Sequence, residues 1–411
     1  MTVSGKTLNE KKEILRRQVM EEIPAGIEIS DRELKELIER RIEETAGEKY
    51  IRLEEKRKLR RRVFNSIRKM DVLQDMLEDE EVTEIMVNGP DHIFIEKEGR
   101  LTETGLSFGD QERLEDIAQQ IASAGNRIVN ESSPILDVRL SDGSRVNIVV
   151  PPIAIEGPVI TIRKFPKEAM TMKKLIQMGA VTEEAEEFLR KLVEAKYNIF
   201  ISGGTGAGKT TFLNILSNFI PHSERVITIE DSAELQIQNI DNLVRLEARN
   251  ANVEGKNQVT IRDLVKSALR MRPDRIIVGE IRDSAAIDLL TAMNTGHDGS
   301  LSTGHANSPA DMLNRLETLV LMGLDIPLEA IRQQIASGID LIVHLGRLRD
   351  KSRKVLEISE VTEVTDGRIC LCPLYVFREE GERAGKVLGE LKSTGRRLKA
   401  LDKCRRSGVE L

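Results

Sequence analysis

The sequence predicts an α/β fold in which a doubly wound sheet domain follows a smaller α+β domain and a helical N-terminal segment. From about residue 175 onward, short apolar runs alternate with stretches of helical periodicity, as in mainly parallel sheets. Between residues 69 and 165 the runs are shorter and are separated by turn signals, which is typical of a compact α+β domain. Residues 1–68 instead repeat apolar positions at helical spacing.

Composition limits the classes of protein to consider. The 411 residues suffice for two or three domains. Because 62 basic and 68 acidic residues are well mixed and the net charge is −6, no overall positive field attracts nucleic acid or an anionic membrane. The N-terminus lacks the apolar run of a signal peptide, and no stretch offers about 18 uninterrupted apolar residues. We therefore expect a cytosolic protein without a membrane span of its own.

The N-terminal segment, residues 1–68, is predicted to be a helical appendage. One helix follows a cap at Ser30 or Asp31, and another covers about 53–67. Their apolar stripes consist of Leu34, Leu37, Ile38 and Ile42, and of Leu53, Leu59, Val63 and Ile67. Six of the seven residues from Lys56 to Arg62 are basic, which indicates either a solvated helix face or a surface for an anionic partner. We expect this segment to dock rather than to catalyse.

The α+β domain, residues 69–165, is predicted from short strands around one helix. Strands are expected at 84–88, 93–97, 137–140, 145–150 and 159–163, and the helix at 111–124. A turn at Asp142-Gly143 makes a hairpin of the third and fourth strands. Alternation can point Arg139, Arg145 and Arg163 to one exposed face of these strands. For each of them alone, a surface arginine is the simpler interpretation.

The rest of the chain is divided into a linker at 166–174, the sheet domain at 175–378 and a charged tail at 379–411. Strands are assigned to 198–202, 225–230, 243–247, 275–279, 299–303 and 339–344. In such sheets, ligands bind beyond the carboxyl ends of the strands. The cysteines Cys370, Cys372 and Cys404 are too few for a disulfide framework or a zinc site, so buried thiols are expected.

A glycine-rich turn follows the first strand of the sheet domain, and residues 203–210 fit the pattern G-x-x-x-x-G-K-[ST]. The residues assigned to phosphate binding are Gly203, Gly204, Thr205, Gly206, Ala207, Gly208, Lys209, Thr210 and Thr211. Glycines let backbone N–H groups converge on an anion at the N-terminus of a helix. Lys209 then neutralises the β- and γ-phosphates of a nucleotide, and the Thr210 hydroxyl binds Mg²⁺. An accidental match is disfavoured by the strand before the turn and the helix after it.

Carboxylates follow two further strands at the same predicted edge. Glu230 and Glu234 come directly after residues 225–229, where they can reach Mg²⁺ or orient water. Glu280 ends a very apolar strand and is placed to polarise the attacking water. Asp283 is the expected cap of the helix that follows.

Two histidines flank the strand at 299–303, and each follows a glycine. A single histidine is more often a structural residue, but His297 and His305 stand at both ends of one strand near the phosphate loop. We therefore treat both as candidate sensors of phosphate or water.

Together these motifs resemble those of the type II/IV secretion ATPases, most closely the CpaF/TadA branch that powers tight-adherence (Flp) pilus assembly. The similarity covers about residues 70–365. The matching segments are 202–211 as the Walker A motif, 228–234 as the Asp box, 272–283 as the Walker B motif, 295–307 as the His box, and 142–147 and 161–165 as nucleotide-facing strands. The four-cysteine zinc element of the type II secretion branch is missing, which argues against that branch.

The resemblance implies a hexameric cytoplasmic motor that binds ATP and Mg²⁺ in a RecA-like P-loop domain, over which the α+β domain closes. Implied roles are water activation for Glu280, Asp-box functions for Glu230 and Glu234, sensing for His297 and His305, and charge neutralisation for Arg139, Arg145 and Arg163. The strand end Gly279-Glu280 lacks the Asp that usually binds Mg²⁺. Besides Thr210, either Glu230 or Glu280 is therefore the expected metal ligand.

The same resemblance implies other copies of this chain as partners, together with inner-membrane platform proteins that hold it at the membrane face. Nucleic acid is not an expected partner. Two other functions remain open at this stage. A RecA-like motor on nucleic acid would use the same ATP site but would need aromatic residues for stacking bases, which make up only 3% of the chain. An assembly scaffold without turnover would not need Glu280 and both histidines.

Overall fold

The computed structural model describes residues 3–24, 29–46, 53–97, 99–165, 170–249, 251 and 256–411. The chain forms two compact units, Met1–Glu168 and Ala169–Leu411. The division falls inside the predicted linker at 166–174, of which residues 166–169 lie outside the described residues. The last part of that predicted linker already belongs to a helix that begins at Met172.

The first unit begins with helices. They are α1 (Val3–Glu22), α2 (Asp31–Ala46), α3 (Leu53–Arg68) and α4 (Leu73–Glu78). Ser30 is the cap of α2, because its hydroxyl accepts the Glu33 N–H at 3.3 Å while the Glu33 carboxylate accepts the Ser30 N–H at 2.8 Å. The predicted stripes form one core cluster, with the exception of Leu53, which is 67% exposed. Leu53 is the first residue of α3 and lies at the exposed end of that helix.

A buried ion cluster connects these helices to the α+β part of the same unit. The Asp71 carboxylate accepts the Lys12 Nζ at 2.7 Å and the Arg113 Nε at 2.9 Å, and Asp71 and Lys12 are almost fully buried. Residues 1–68 are therefore not a separate appendage but pack into the first unit. In the basic run at 56–62, Arg60 pairs with Glu39 and Arg61 with acidic residues of α4, so part of its charge is used within the protein.

The α+β part is a six-stranded antiparallel sheet with the order β3-β2-β1-β6-β5-β4. The strands are β1 (Val82–Asn88), β2 (His92–Lys97), β3 (Arg100–Glu103), β4 (Ile135–Arg139), β5 (Arg145–Val149) and β6 (Val159–Arg163). The helix α5 (Gln111–Ala124) has the predicted bounds, and Asp110 caps it. The predicted hairpin is confirmed by the antiparallel pairing of β4 with β5. Its buried face packs under α5 in one core cluster.

The second unit is a nine-stranded sheet with the order β15-β14-β13-β12-β7-β11-β10-β8-β9. Its strands are β7 (Ile199–Gly203), β8 (Arg225–Glu230), β9 (Asn242–Glu247), β10 (Arg275–Val278), β11 (Leu301–His305), β12 (Leu341–Arg347), β13 (Arg353–Thr365), β14 (Arg368–Arg383) and β15 (Lys386–Ser393). The six strands from β12 to β9 in this order are parallel, as the alternation predicts, and β13, β14 and β15 continue the sheet antiparallel.

The helices of the second unit are α6 (Met172–Gln177), α7 (Glu183–Glu194), α8 (Lys209–Ser217), α9 (Ile261–Ala268), α10 (Ala285–Asn294), α11 (Pro309–Leu321), α12 (Leu328–Gly338) and α13 (Asp402–Ser407). Two core clusters fill the space between the sheet and these helices. The central strands β7 and β10 are buried at every position, which explains why they are mostly apolar. Their polar residues, Ser202 and Arg275, are buried as well.

The predicted charged tail at 379–411 is part of the second unit. The predicted start of the tail falls inside β14. The following strand, β15, pairs with β14 over Tyr375–Arg383. The chain then returns to the sheet, where the buried Glu360 carboxylate accepts the N–H groups of Lys399 and Ala400. Cys404 on α13 is buried as expected, whereas Cys370 and Cys372 on β14 are only half-buried because this strand lies near the sheet edge.

Across the described ranges, no helix is long and apolar enough to cross a membrane.

Candidate nucleotide site

The glycine-rich turn connects β7 to α8 in the second unit. Two of its glycines have left-handed backbone angles, with φ of +70° at Gly206 and +94° at Gly208. Gly208 is the N-cap of α8, so this backbone conformation directs the chain into the helix that Lys209 begins. The turn and the first residues of α8 therefore present unpaired backbone N–H groups at a helix N-terminus, which is the geometry that binds phosphate.

Strand register brings the other candidate groups to this turn. In the parallel sheet, Gly203 at the end of β7 lies beside His305 at the end of β11. The next strand, β10, ends one residue before Gly279-Glu280, and β8 ends at Glu230. Four strand ends thus carry glycine, histidine and two carboxylates along one edge of the sheet, as expected for a ligand site of this fold.

Lys209 is held in the site by two acceptors. Its Nζ donates to the Gly204 carbonyl at 3.1 Å and lies 3.1 Å from His305 Nδ1. Burial lowers the pKa of Lys209, whereas the charge of Glu280 opposes that shift. The ammonium group is therefore held beside the phosphate-binding turn in a largely dehydrated position, where its attraction for an anion is stronger than in water.

Glu280 makes contacts with both of its oxygens. Oε2 accepts the Arg282 Nη2 at 2.6 Å, and Oε1 lies 3.0 Å from His305 Nε2. Burial alone would raise the pKa of Glu280, but the hydrogen bond from Arg282 and the charges around it outweigh burial and lower the pKa. Glu280 is consequently ionised at neutral pH, as a group that accepts a proton or orients water must be.

His305 lies between the cation and the anion. Burial lowers its pKa, which the charge of Glu280 opposes and that of Lys209 reinforces. The ring is therefore neutral at pH 7, with Nδ1 accepting from Lys209. Its Nε2 lies 3.0 Å from Glu280 Oε1, but the two atoms do not form a hydrogen bond. Lys209, His305 and Glu280 form a continuous polar chain from the phosphate loop to the end of β10.

Glu230 occupies a different environment. Its Oε2 accepts the N–H groups of Glu234 at 2.7 Å and Leu235 at 2.9 Å, while its buried Oε1 has no hydrogen-bond partner among the described residues. Burial raises the pKa of Glu230. A Cβ built on Gly279 would lie 3.0 Å from the Glu230 Cγ, so the glycine of Gly279-Glu280 makes room for this side chain. The missing Asp of the P-loop pattern therefore has a steric explanation.

Two sets of predicted site residues are not part of this cluster. His297 precedes β11 at the opposite edge of the sheet from His305, so the structure brings only one of the two histidines to the phosphate loop. The reason is that the five-residue strand β11 is extended, so the residues before it and the residue at its end lie at opposite edges of the sheet. Glu234 contributes its backbone N–H to Glu230, and its carboxylate acts on Arg282 through its charge.

The three arginines lie in the first unit, in one row. Arg139 pairs with Arg145 across β4 and β5, and Arg145 pairs with Arg163 across β5 and β6. Directly opposite residues of neighbouring strands project to the same face, so the expected common face is confirmed. Arg139 stacks on Phe165 at 5.7 Å, and Arg163, which is exposed, pairs with Glu84 at 2.9 Å. Their action on a nucleotide stays a prediction.

Sequence analysis assigned no role to two residues that the structure places at the site. Arg282 lies inside the Walker B segment and binds Glu280 directly, and its two-residue distance from Glu280 was the available signal. His344 on β12 is buried and lies 2.8 Å from the Ser202 hydroxyl at the base of the phosphate loop. No local sequence pattern indicates this contact, because it joins residues 142 positions apart. Arg282 and His305 also line an open cleft of about 500 Å³.

A doubly wound sheet with a phosphate loop, a lysine and a strand-end glutamate defines a P-loop nucleotide-binding protein. The sequence model of the family "Type II/IV secretion system protein" matches residues 66–384, and the chain belongs to this family. The match covers both units, so it includes the row of arginines as well as the phosphate loop.

Curated relatives agree with this assignment. A putative conjugal transfer protein of Mycobacterium tuberculosis is 35% identical over 305 residues, which cover 72% of this chain and 86% of the relative. The type IV secretion system protein VirB11 of Brucella suis is 31% identical over 303 residues, covering 67% of this chain and 84% of the relative. Among solved structures, the ATPase DotB of Yersinia pseudotuberculosis has a similar fold, with a TM-score of 0.52, 18% identity and coverage of 73% of this chain and 80% of DotB.

Proposed function

We propose that this protein hydrolyses ATP in a Mg²⁺-dependent reaction and uses the energy as a motor of pilus assembly or protein secretion. The observation that carries the enzymatic part is the polar chain Lys209–His305–Glu280, with contacts of 3.1 and 3.0 Å. It joins a group that binds phosphate to an ionised carboxylate that acts on water. A site for binding alone needs the first of these groups but not the second.

The residues at the site also fit a magnesium ion. The Thr210 hydroxyl on the first turn of α8 and the unpartnered buried Oε1 of Glu230 are oxygen ligands of the kind Mg²⁺ prefers, directly or through water. Oε1 of Glu280 is likewise buried without a hydrogen-bond partner among the described residues, so either Glu230 or Glu280 can order the metal. When bound, Mg²⁺ neutralises charge on the phosphates. The chain's own residues orient the nucleotide and the water.

The proposed setting is a homohexamer at the cytoplasmic face of the inner membrane, attached through platform proteins. Family membership supports a secretion motor. Assignment to the CpaF/TadA branch of pilus assembly depends on the sequence motifs, whereas the names of the relatives refer to conjugal transfer and type IV secretion. Pilus assembly and secretion need the same ATP-driven motion, so the enzymatic proposal does not depend on the branch.

Release of phosphate by the purified full-length chain tests the proposal. We expect turnover with ATP and Mg²⁺ that Lys209→Ala abolishes together with nucleotide affinity, because the dehydrated ammonium binds the ground-state phosphates. Binding without any turnover of the wild-type chain would indicate the scaffold instead. Turnover that requires added single-stranded DNA or RNA would indicate a nucleic-acid motor.

A ring is the proposed working unit, and light scattering during turnover tests it. We expect the mass of about six chains in the presence of ATP and Mg²⁺. Full hydrolysis by a species with the mass of one chain would contradict the ring.

A further inference from the structure

Arg353 lies beside the phosphate loop within the second unit. It is the first residue of β13 and pairs with Arg347 at the end of β12, whose Leu345 lies next to Gly203. A Cβ built on Gly208 would lie 3.7 Å from the Cδ of Arg353. The aliphatic part of this arginine therefore runs along the N-cap residue of α8, and its guanidinium is within a side chain's reach of the turn.

The charge of Arg353 is not used by the surrounding protein. The side chain is exposed, and in the described ranges no carboxylate lies within ion-pair distance of it. In the same hairpin, Arg349 pairs with Glu379 and Glu382, and the Asp350 carboxylate accepts the N–H groups of Ser352 and Val387. The adjacent Lys354 points away from the turn and donates to carbonyls after α6. Within the part of the chain that the structure describes, Arg353 is thus a cation beside the loop without an acidic partner.

The order of the strands fixes which part of a nucleotide lies near Arg353. His305 and Glu280 follow β11 and β10, on one side of β7. Because Glu280 acts on the water that attacks the γ-phosphate, that phosphate points to the β11–β10 side. Arg353 lies on the other side of β7, beyond β12. The α-phosphate and the nucleoside must therefore point toward β12 and β13.

We propose that Arg353 binds the α-phosphate of the nucleotide held by the phosphate loop of the same chain. This inference rests on the proposed ATP site. It differs from the role proposed for the arginines of the first unit, because a contact with the α-phosphate persists in ATP and ADP alike. Arg353 would consequently contribute to nucleotide affinity and leave the chemical step unchanged.

The inference is tested by measuring the Kd of Arg353→Ala for ATP and for ADP in the presence of Mg²⁺. Both titrations use a protein that also carries Glu280→Gln, so that ATP is not hydrolysed during the measurement. We expect both Kd values to rise about tenfold, as for loss of one hydrogen bond between charged groups. In the otherwise wild-type chain, KM for ATP should rise by a similar factor with kcat nearly unchanged. Arg353→Lys, which keeps the charge, should recover part of the affinity.

Arg349→Ala is the matched control, since it removes an arginine of the same hairpin whose charge is paired with Glu379 and Glu382. Its Kd values should equal those of the starting protein. If Arg353→Ala binds both nucleotides normally while Lys209→Ala does not, the inference fails and the proposed function stands. A loss for ATP without a loss for ADP would overturn the α-phosphate assignment. Failure of the starting protein to bind either nucleotide would overturn the proposed function itself.

Discussion

His305 separates a buried ammonium group from a buried carboxylate with a neutral ring. Direct contact between Lys209 and Glu280 would occupy the ammonium and offset its charge, whereas the imidazole contacts each group at about 3 Å and keeps them apart. Such a bridge also responds to the γ-phosphate, because any anion that draws Lys209 away from Nδ1 changes the hydrogen bonds of the ring. The residue is therefore suited to connect phosphate occupancy with the position of Glu280.

Replacing His305 should lower the rate more than the affinity. We expect His305→Ala to bind ATP nearly normally and to lose roughly tenfold in kcat, equivalent to about 1.4 kcal/mol of activation free energy. The wild-type rate should also fall as the pH drops through the lowered pKa of His305, below about 6.5, because a protonated ring is repelled by Lys209 and Arg282 and no longer accepts from Lys209. A pH–rate profile of kcat measures both effects.

Glu280 does not produce this acid limb, because its own pKa is lowered from its usual value and it stays ionised over the same range. The limb should consequently disappear in His305→Ala. Its persistence in the variant would show that another group titrates and would contradict the bridging role.

Residue-level prediction from the sequence succeeded where the signal is local. The phosphate loop is a run of eight consecutive positions, and Glu280 directly follows its strand, so spacing alone placed both. His344 and Ser202 meet only through the pairing of β12 with β7, and Arg353 reaches the loop through a further strand. His297 was assigned to the site because it and His305 flank one strand and each follows a glycine, although an extended strand carries its two ends to opposite edges of the sheet.

At the level of elements, the starts of the parallel strands are held by a polar cluster opposite the nucleotide site. Asn198 before β7 accepts the N–H groups of Gly299 and Ser300 before β11. Asp340 before β12 accepts the Asn198 N–H at 2.7 Å and the Lys403 Nζ at 2.6 Å. Because Lys403 lies on the last helix, the end of the chain fixes the strand that carries the phosphate loop.

Removing the charge of Lys403 should destabilise the second unit. Burial already raises the pKa of Asp340, and Lys403 opposes that shift, so Lys403→Met leaves a largely buried carboxylate without its cation. We expect a loss of about 2 kcal/mol in the free energy of unfolding, below the roughly 3–5 kcal/mol of fully buried pairs because Lys403 retains some contact with water. Urea denaturation measures the change.

Lys392→Ala provides the comparison, since Lys392 pairs with Glu380 on the exposed strands β14 and β15. Such surface pairs contribute about 0–1 kcal/mol. Equal stability losses in the two variants would contradict a structural role for the Lys403 cluster.

Strands and helices could be predicted from the sequence where the pattern of apolar residues follows their burial, as in strands that are covered on both faces. The ends of the six parallel strands were predicted to within three residues for that reason. The end of β14 and all of β15 were interpreted as a tail because their charged residues, such as Glu379, Glu382 and Arg383, form exposed faces of strands near the sheet edge. The N-terminal helices were predicted, but their attachment through Lys12, Asp71 and Arg113 depends on distant residues that no periodicity reveals.

On the scale of the whole molecule, the row of arginines lies in the first unit and the phosphate loop in the second. Arg139, Arg145 and Arg163 form one row on neighbouring strands. Lys209 and Mg²⁺ alone do not neutralise the charge that spreads over the γ-phosphoryl oxygens, and a supplied arginine is typically worth about 10³ to 10⁵ in rate. We propose that closure of the first unit on bound ATP completes the site.

Single alanine substitutions in the row should therefore lower kcat strongly, by about 10³ for the arginine that contacts the γ-phosphoryl group. Phosphate release under saturating ATP measures the loss. Unchanged turnover in all three variants would end the hypothesis. Mixing Arg163→Ala with Glu280→Gln subunits then assigns the donor. Recovered activity would mean that the arginine acts on a neighbouring subunit, and no recovery despite proven co-assembly would mean closure within one chain.

The role of Glu280 in hydrolysis is tested by measuring nucleotide binding and phosphate release in one variant, Glu280→Gln. The substitution keeps the size and the hydrogen-bonding oxygen of the side chain but removes the charge that acts on water, while Lys209 and the phosphate loop remain intact. We predict that Glu280→Gln binds ATP as tightly as the wild-type chain and releases phosphate at least about 10² times more slowly. Equal turnover in Glu280→Gln and the wild type would contradict the central claim that this carboxylate drives hydrolysis.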